Sequence, residues 1–259
     1  MLELRNLRIK SGHKVLSDIP TLTVAPGERL GIVGESGSGK TLTVMSIISL
    51  LPEGISATGE VLFHGDNLLG MTERRLQDIR GKRVGVVFQD PSRALNPTMK
   101  IGRQLAEVLR LHGESTSRDD IRNKMLKLLK QVSLDAPAVI NSYPHELSGG
   151  QQQRVVIAIA MACGPDLLIA DEPTTALDVT VQKSILELLL CLCSENNMGL
   201  IFVSHNLGVV QSICDRIAVM YQGALVEVGP AKVILGSPQE QYTRDLIAAS
   251  PSIPQAKEG

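Results

Sequence analysis

Aromatic side chains are nearly missing from this sequence: Phe, Tyr and Trp together make up 2% of it, and Trp does not occur. Such a chain offers no platform for stacking the bases of a single-stranded nucleic acid and no aromatic belt for a membrane interface. An excess of charge of one sign is missing too. The 26 Lys and Arg balance 27 Asp and Glu, for a net charge of −1. No global field therefore draws in nucleic acid or an anionic membrane surface. A bilayer span needs about 20 apolar residues, and the longest run, Val155 to Cys163, falls short of that. Met1 to Lys10 alternates apolar and charged residues and has no apolar core of a secretory signal. An intracellular protein is expected, one that must dock on another protein if it serves a membrane process. Cysteine is sparse: Cys163, Cys191, Cys193 and Cys214 form no C-x-x-C pair, and each lies in an apolar stretch. They are expected to be small buried hydrophobes in a reducing compartment, with no disulfide or metal role.

What is present is enough apolar residue, 43% of 259, to bury a sizeable core. Short continuous apolar runs recur at Leu30 to Val33, Val84 to Phe88, Leu167 to Ala170 and Leu200 to Val203. Each reads as a strand buried on both faces, and the helical stretches between them suit a doubly wound parallel sheet. Leu2 and Leu4 alternate with charges, and Val61-Leu62-Phe63 lies between Gly59 and Gly65, which predicts an antiparallel sheet beside the parallel one. Arg216 to Tyr221 and Ala224 to Val228 flank Gln222-Gly223, the pattern of a hairpin. From about Gly102 to Val132 there is no strand signal. Ile121, Met125, Leu128, Leu129 and Val132 fall at i, i+4, i+7, i+8 and i+11, one apolar face of a helix, with Arg118, Asp119, Lys124, Lys127 and Lys130 mostly off it. Periodicity alone leaves open whether this helix only packs on its own domain or also presents a docking surface. Pro251 to Gly259 reads as a flexible tail.

The run Gly34-Glu35-Ser36-Gly37-Ser38-Gly39-Lys40-Thr41 fits G-x-x-x-x-G-K-[ST]. Its glycines let the backbone curl so that N–H groups point at phosphate oxygens. Lys40 supplies a positive charge for the β- and γ-phosphates, and Thr41 a hydroxyl for Mg²⁺. The context is right: a strand precedes, and an apolar-rich helix, Thr41 to Leu51, comes next with its N-terminus toward the phosphates. The chain is expected to bind a nucleoside triphosphate, ATP above all.

Leu167 to Ala170 runs straight into Asp171-Glu172. Two carboxylates at the end of a buried strand lie where ligands bind in such folds. Asp171 would hold Mg²⁺, and Glu172 would polarise the attacking water; the plainer alternative is that one of them simply caps the next segment of chain. Ser148-Gly149-Gly150-Gln151 opens a second apolar-rich helix, Gln152 to Cys163, with Ser148 as N-cap. It is either a second phosphate-gripping helix start or an ordinary capped one.

The combination of Gly34–Thr41, Gln89, Leu147–Gln151, Leu168–Glu172, Thr175–Asp178 and His205 resembles the nucleotide-binding subunit of ABC transporters. The LSGGQ run is the specific element, and the resemblance covers nearly the whole chain. It implies an α/β fold: a P-loop NTPase core with an antiparallel N-terminal sheet and an inserted helical subdomain at about 92–160, within an ATP-binding domain of residues 1–250. It implies ATP and Mg²⁺ as cofactors. Gln89 would contact Mg²⁺ and the attacking water, and would sense the membrane partner. Ser148 and Gly150 would bind the γ-phosphate of ATP held by the opposite subunit. Asp178 would cross the dimer interface, and His205, otherwise a strand-end histidine bonded to backbone, would contact the γ-phosphate.

A narrower resemblance, to the oligopeptide, dipeptide and nickel importer branch, rests on Phe88 to Pro97, on Ser142 to Leu147, and on Ser237-Pro238 with Tyr242-Thr243-Arg244 and Leu246. It implies a second, related ATPase subunit in a heterodimer, two permease subunits and an extracytoplasmic solute-binding protein. It also implies a peripheral place on the cytoplasmic face of the bacterial inner membrane. Peptide is the expected cargo and nickel the alternative. A soluble ABC ATPase and a non-hydrolytic P-loop module are the other classes, and no nucleic-acid partner is expected. Three features depart from the family. It stacks adenine on an early aromatic, yet none precedes Phe63 here, leaving His13 as a substitute or the stack weak. No cysteine follows Cys214, so the iron–sulfur cluster of some branch members is not expected. Thr175 stands where Ser is more common.

Overall fold

The computed structural model describes residues 1–112, 117–175 and 177–250. The expected tail, Pro251 to Gly259, lies outside the described residues, as do Ala176 within the Thr175–Asp178 motif and residues 113–116 within the expected helical stretch. Two compact units form. One is Met1–Met71 with the described residues from Gly199 onward, and the other is Thr72–Met198.

The first unit opens with strands β1 (Leu2–Ser11), β2 (Lys14–Val24) and β3 (Arg29–Val33), helix α1 (Lys40–Ile47), and strands β4 (Ile55–Phe63) and β5 (Asp66–Asn67). The second unit holds α2 (Glu73–Gln77), β6 (Val84–Val87), α3 (Pro91–Ala94), α4 (Ile101–His112), α5 (Arg118–Gln131), α6 (Ala136–Asn141), α7 (Gly149–Ala160), β7 (Leu167–Asp171) and α8 (Val179–Asn196). The chain returns to the first unit with β8 (Gly199–Ser204), α9 (Leu207–Ile213), β9 (Arg216–Tyr221), β10 (Ala224–Pro230), α10 (Ala231–Gly236) and α11 (Gln241–Ala248). Among the described residues, no helix is long and apolar enough to cross a membrane.

Within the first unit the strand order is β5, β4, β1, β2, β10, β9, β3, β8. The N-terminal strands pair antiparallel, β1 with β2 and with β4, whereas β3 pairs parallel with both β8 and β9. Leu30, Ile32 and Val33 of β3 are fully buried, as a continuous apolar strand between two neighbours must be. In β1 the buried residues are Leu2, Leu4, Leu7 and Ile9, and the odd step from Leu4 to Leu7 would reverse the face of an ideal strand. A bulge corrects it: Asn6 has φ 47° and the β1–β4 register shifts between Arg5 and Arg8. The turn between β9 and β10 has positive φ at both Gln222 and Gly223, the backbone of a tight hairpin. Helix α1 is shorter than the sequence suggests. Ser49 takes φ 51°, and Pro52 disfavours a helical Leu51.

Within the second unit β6 and β7 pair parallel, and the chain between them is helical. The expected face of α5 is the buried one: Ile121, Met125, Leu128, Leu129 and Val132 are all inside. Two polar side chains tie these helices together. Gln104 of α4, 9% exposed, accepts the N–H of Asn96 and donates to the carbonyls of Asn96 and Met99. Arg154 of α7 donates to the carbonyl of Val132 and to Ser184 Oγ of α8, at 2.7 and 3.3 Å.

The four cysteines are free thiols, but only Cys193 and Cys214 are buried; Cys163 is half-buried and Cys191 is exposed. Positions two apart on a helix point about 200° apart, so Cys191 and Cys193 of α8 cannot both face the core. Cys191 turns outward to Glu195 Oε1 at 3.3 Å.

Candidate functional site

In the first unit the glycine-rich loop joins β3 to α1. Gly34 starts it, and a Cβ there would collide with the carbonyl oxygen of Met220 in β9, so the loop packs at a distance that only glycine allows. Lys40 is 5% exposed, and its Nζ donates to the carbonyl oxygens of Gly34 and Glu35, both at 2.8 Å. The ammonium is thus curled back under the arch of its own loop. Ser38 is buried and its Oγ has no hydrogen-bond partner among the described residues. A buried hydroxyl in that condition is a ready ligand for an incoming oxygen. The first N–H groups of α1 lack carbonyl partners of their own helix, and the helix dipole puts partial positive charge there. Thr41, in the first turn of α1, is exposed.

Val33 of β3 lies beside Ser204 of β8, so Gly34 and His205 begin neighbouring loops of the same unit. His205 is exposed, and the backbone after it is fixed by Ser204 Oγ, which accepts the N–H of Asn206 at 3.0 Å. Asn206 in turn caps α9 by accepting from Val209 N. His13 sits exposed in the turn between β1 and β2.

In the second unit, Val87 pairs with Ala170, so the segments after β6 and β7 emerge side by side. They bring Gln89 to Glu172: Gln89 Nε2 lies 3.5 Å from Glu172 Oε2, a long contact. Asp171 is 6% exposed at the end of a wholly buried strand. Glu172 then adopts φ 48°, a left-handed conformation that a non-glycine residue takes only where its surroundings impose it. Thr175 Oγ1 donates to Glu172 Oε2 at 3.0 Å. Gln89, Glu172 and Thr175 therefore form one cluster around a single carboxylate oxygen.

The other glycine-rich helix start is built as a reciprocal cap. Ser148 Oγ accepts the N–H of Gln151 at 3.3 Å, and Gln151 Oε1 accepts the N–H of Ser148 at 2.9 Å. Ser148, Gly149 and Gln151 are exposed. A Cβ on Gly150 would crowd Val181, so the first turn of α7 packs closely on the start of α8. Asp178 caps α8 there, its Oδ1 accepting the N–H groups of Thr180 and Val181 at 3.1 and 3.0 Å. Next to it Val179 is 82% exposed, a large apolar side chain in open solvent.

Two participants were missed in the sequence. Thr175 reads there only as a variant of Ser, although its place three residues after Glu172 suits a hydroxyl-to-carboxylate bond. Tyr242 reads only as a family motif, yet its Oη accepts the N–H of Glu35 in the glycine-rich loop at 3.1 Å. Nothing local in the sequence brings positions 35 and 242 together.

The sequence pattern of the family described as ABC transporter matches residues 18–175. The chain is 48% identical over 235 residues to the oligopeptide transport ATP-binding protein OppD of Bacillus subtilis, covering 90% of this chain and 65% of that protein. It is 42% identical over 265 residues to the dipeptide transport ATP-binding protein DppD of Lactococcus lactis subsp. cremoris, covering 98% of this chain and 74% of that one. Among solved structures it is similar to the dimeric post-hydrolysis state of the ATP-binding cassette MJ0796 bound to ADP and Pi. The TM-score there is 0.77 at 30% identity, over 89% of this chain and 99% of that chain. It is also similar to cbiO1 from Clostridium perfringens, part of the ABC transporter complex cbiONQ, with a TM-score of 0.80 at 25% identity over 91% and 90% of the two chains.

Proposed function

The chain belongs to the ABC transporter family, and from that membership we propose that it is the ATP-hydrolysing subunit that energises a membrane importer of peptides. The reading is supported above all by the loop Gly34–Thr41, with Lys40 buried beneath it and the orphaned hydroxyl of Ser38 within it. That loop and the first turn of α1 grip the phosphates of ATP. Lys40 leaves the carbonyls of Gly34 and Glu35 for the β- and γ-phosphate oxygens, where its charge offsets the charge that develops as the γ-phosphoryl group transfers. Glu172 takes a proton from the attacking water. The water oxygen bonds to the γ-phosphorus as the bond to the ADP oxygen breaks. Gln89 and Thr175 hold the Glu172 carboxylate in place, and His205 bonds a γ-phosphate oxygen.

Magnesium fits the residues available. The Thr41 hydroxyl in the first unit, and the Asp171 carboxylate and Gln89 amide oxygen in the second, each offer a hard oxygen of the kind this ion prefers. Bound there, the ion would neutralise phosphate charge.

The Ser148–Gln151 loop serves a second copy of the site. Its exposed hydroxyl and glycines suit the γ-phosphate of ATP held by a facing subunit, with Asp178 and the exposed Val179 in the surface between them. The working unit is therefore a pair of ATPase subunits, a heterodimer with a related chain. It sits on two permease subunits at the cytoplasmic face of the bacterial inner membrane and is fed by a solute-binding protein. Residues 1–250 act as one ATP-binding domain with a helical subdomain at about 92–160, which receives the permease. Adenine stacks on His13 in place of an aromatic, or stacks only weakly. Peptide is favoured over nickel by the names of the two curated relatives above.

The test is reconstitution with the permease and the solute-binding protein in liposomes. Peptide-loaded binding protein should stimulate ATP hydrolysis and drive peptide uptake. Hydrolysis indifferent to both permease and peptide would overturn transport coupling, and stimulation by nickel in place of peptide would change the cargo.

A further inference from the structure

The phosphate loop is braced from the C-terminal side of its own unit. Tyr242 of α11 accepts the N–H of Glu35 at 3.1 Å. Its ring stacks on Tyr221 at the end of β9, with centroids 4.1 Å apart and planes at 29°. The β9–β10 turn adds a second tie, as Gly223 donates its N–H to the carbonyl of Ser38 at 3.1 Å. Helix α11 is itself anchored at its entry. Glu227 of β10 accepts the N–H groups of Gln239 and Glu240 at 2.9 and 3.2 Å. Arg244 donates to the carbonyls of Pro238 and Gln239 at 3.0 and 3.1 Å. Burial pushes the Glu227 carboxyl up, but the N–H of Gln239 and its other donors more than offset this and hold it below the ordinary value. It is therefore a carboxylate at neutral pH. Burial raises the Tyr242 phenol, against the opposing N–H of Glu35, so the ring stays neutral and keeps its own proton.

We propose that Tyr242 is a positioning residue for the nucleotide: by taking up the Glu35 N–H it fixes the first turn of the phosphate loop, and the segment 237–244 thereby sets how tightly the loop grips ATP. The physical reason is entropic. A loop with glycine at 34, 37 and 39 has many conformations to lose when it closes on phosphate. Its own tie from Lys40 Nζ to the carbonyls of Gly34 and Glu35 is given up when the ammonium turns to phosphate. Ties at Glu35 and Ser38 bracket Ser36 and Gly37, so the arch is pinned on both sides before the ligand arrives, and less ordering is charged against binding. This rests on the reading of Gly34–Thr41 as a phosphate loop.

The test compares Tyr242→Phe with the unmodified full chain by ATP titration, thermal melting and hydrogen exchange at the Glu35 amide. Phe keeps the ring stack and removes only the acceptor. ATP affinity should weaken about 3–10-fold, the effect of one net hydrogen bond. Glu35 exchange should accelerate while the melting temperature stays put. Glu227→Ala, which frees the entry to α11 without touching the loop, should shift affinity in the same direction. Lys40→Ala is the control. If it abolishes binding while Tyr242→Phe binds within about twofold of the parent, or leaves Glu35 exchange unchanged, the bracing role is wrong and the phosphate-loop reading stands. If Lys40→Ala binds ATP normally, the phosphate-loop reading itself falls, and the bracing role with it.

Discussion

Thr175 Oγ1 donates to Glu172 Oε2 at 3.0 Å, and that carboxylate sits on a residue with φ 48°. The threonine hydroxyl fixes the direction of that carboxylate. If Glu172 is the base, Thr175→Val should lower kcat about tenfold, the effect of losing one hydrogen bond to a charged group worth about 1.5 kcal/mol. KM for ATP should not change, because the threonine touches no phosphate in this scheme. Thr175→Ser should restore the rate. A Val variant with parental kcat would show the bond to be structural only.

Glu172→Gln tests the base itself. The amide keeps the shape and the contacts with Gln89 and Thr175 but cannot take a proton. Loss of a general base costs about 10²–10⁴ in rate. Steady-state hydrolysis should fall by that order while ATP binding by equilibrium titration is unaffected. Unchanged turnover would remove Glu172 from its role.

Much of this was legible in the sequence because it is local. The β3–loop–α1 unit is written in one stretch of chain, with Leu30 to Val33 apolar, Gly34 to Gly39 flexible and Lys40-Thr41 polar. So is the reciprocal cap of Ser148 and Gln151, whose spacing is that of a capping box. The amphipathic face of α5 is likewise a matter of period, and all five expected residues are buried. What was not legible is long-range. The bond from Tyr242 to Glu35 spans most of the chain. The bracing of residues 96–99 by Gln104 depends on an amide that reads as an ordinary polar helix position. The exposure of Cys191 is not legible either, because apolar composition around a cysteine does not say which side of a helix it occupies.

The start of β9 is clamped to β3 by an ion pair whose pH dependence can be checked. Asp215 accepts from the backbone N–H and the guanidinium of Arg29. The side-chain bond to Arg29 is the main cause that holds its carboxyl below the ordinary value of 3.8, with burial opposing. A depressed folded-state value means the pair stabilises above the unfolded value and is lost as pH falls through the folded one. The Asp215 side chain is 45% exposed, so solvent screens the pair, and its worth is under about 1 kcal/mol. Asp215→Asn should therefore unfold at slightly lower urea than the parent at pH 7. The gap should close below the ordinary aspartate value of 3.8. A gap that persists at low pH would mean the charge is not the source.

Ser148→Arg separates the nucleotide's own subunit from the facing one. Ser148 is exposed, and its hydrogen bonds among the described residues stay within its own helix start, to Gln151 and Gln152. Losing the cap costs about 1 kcal/mol of stability, which the isolated chain should survive. Its phosphate loop is untouched, so ATP affinity of the isolated subunit should match the parent. If this loop serves the facing subunit's nucleotide, a long cation in the assembled transporter would occupy the space of that γ-phosphate, and hydrolysis should be abolished. Ser148→Ala, which loses the cap without adding bulk, should keep part of the activity and so separate the two effects. If the isolated parent hydrolyses ATP at the full rate of the complex, no facing loop is needed, and the composite site is wrong whatever the Arg variant does.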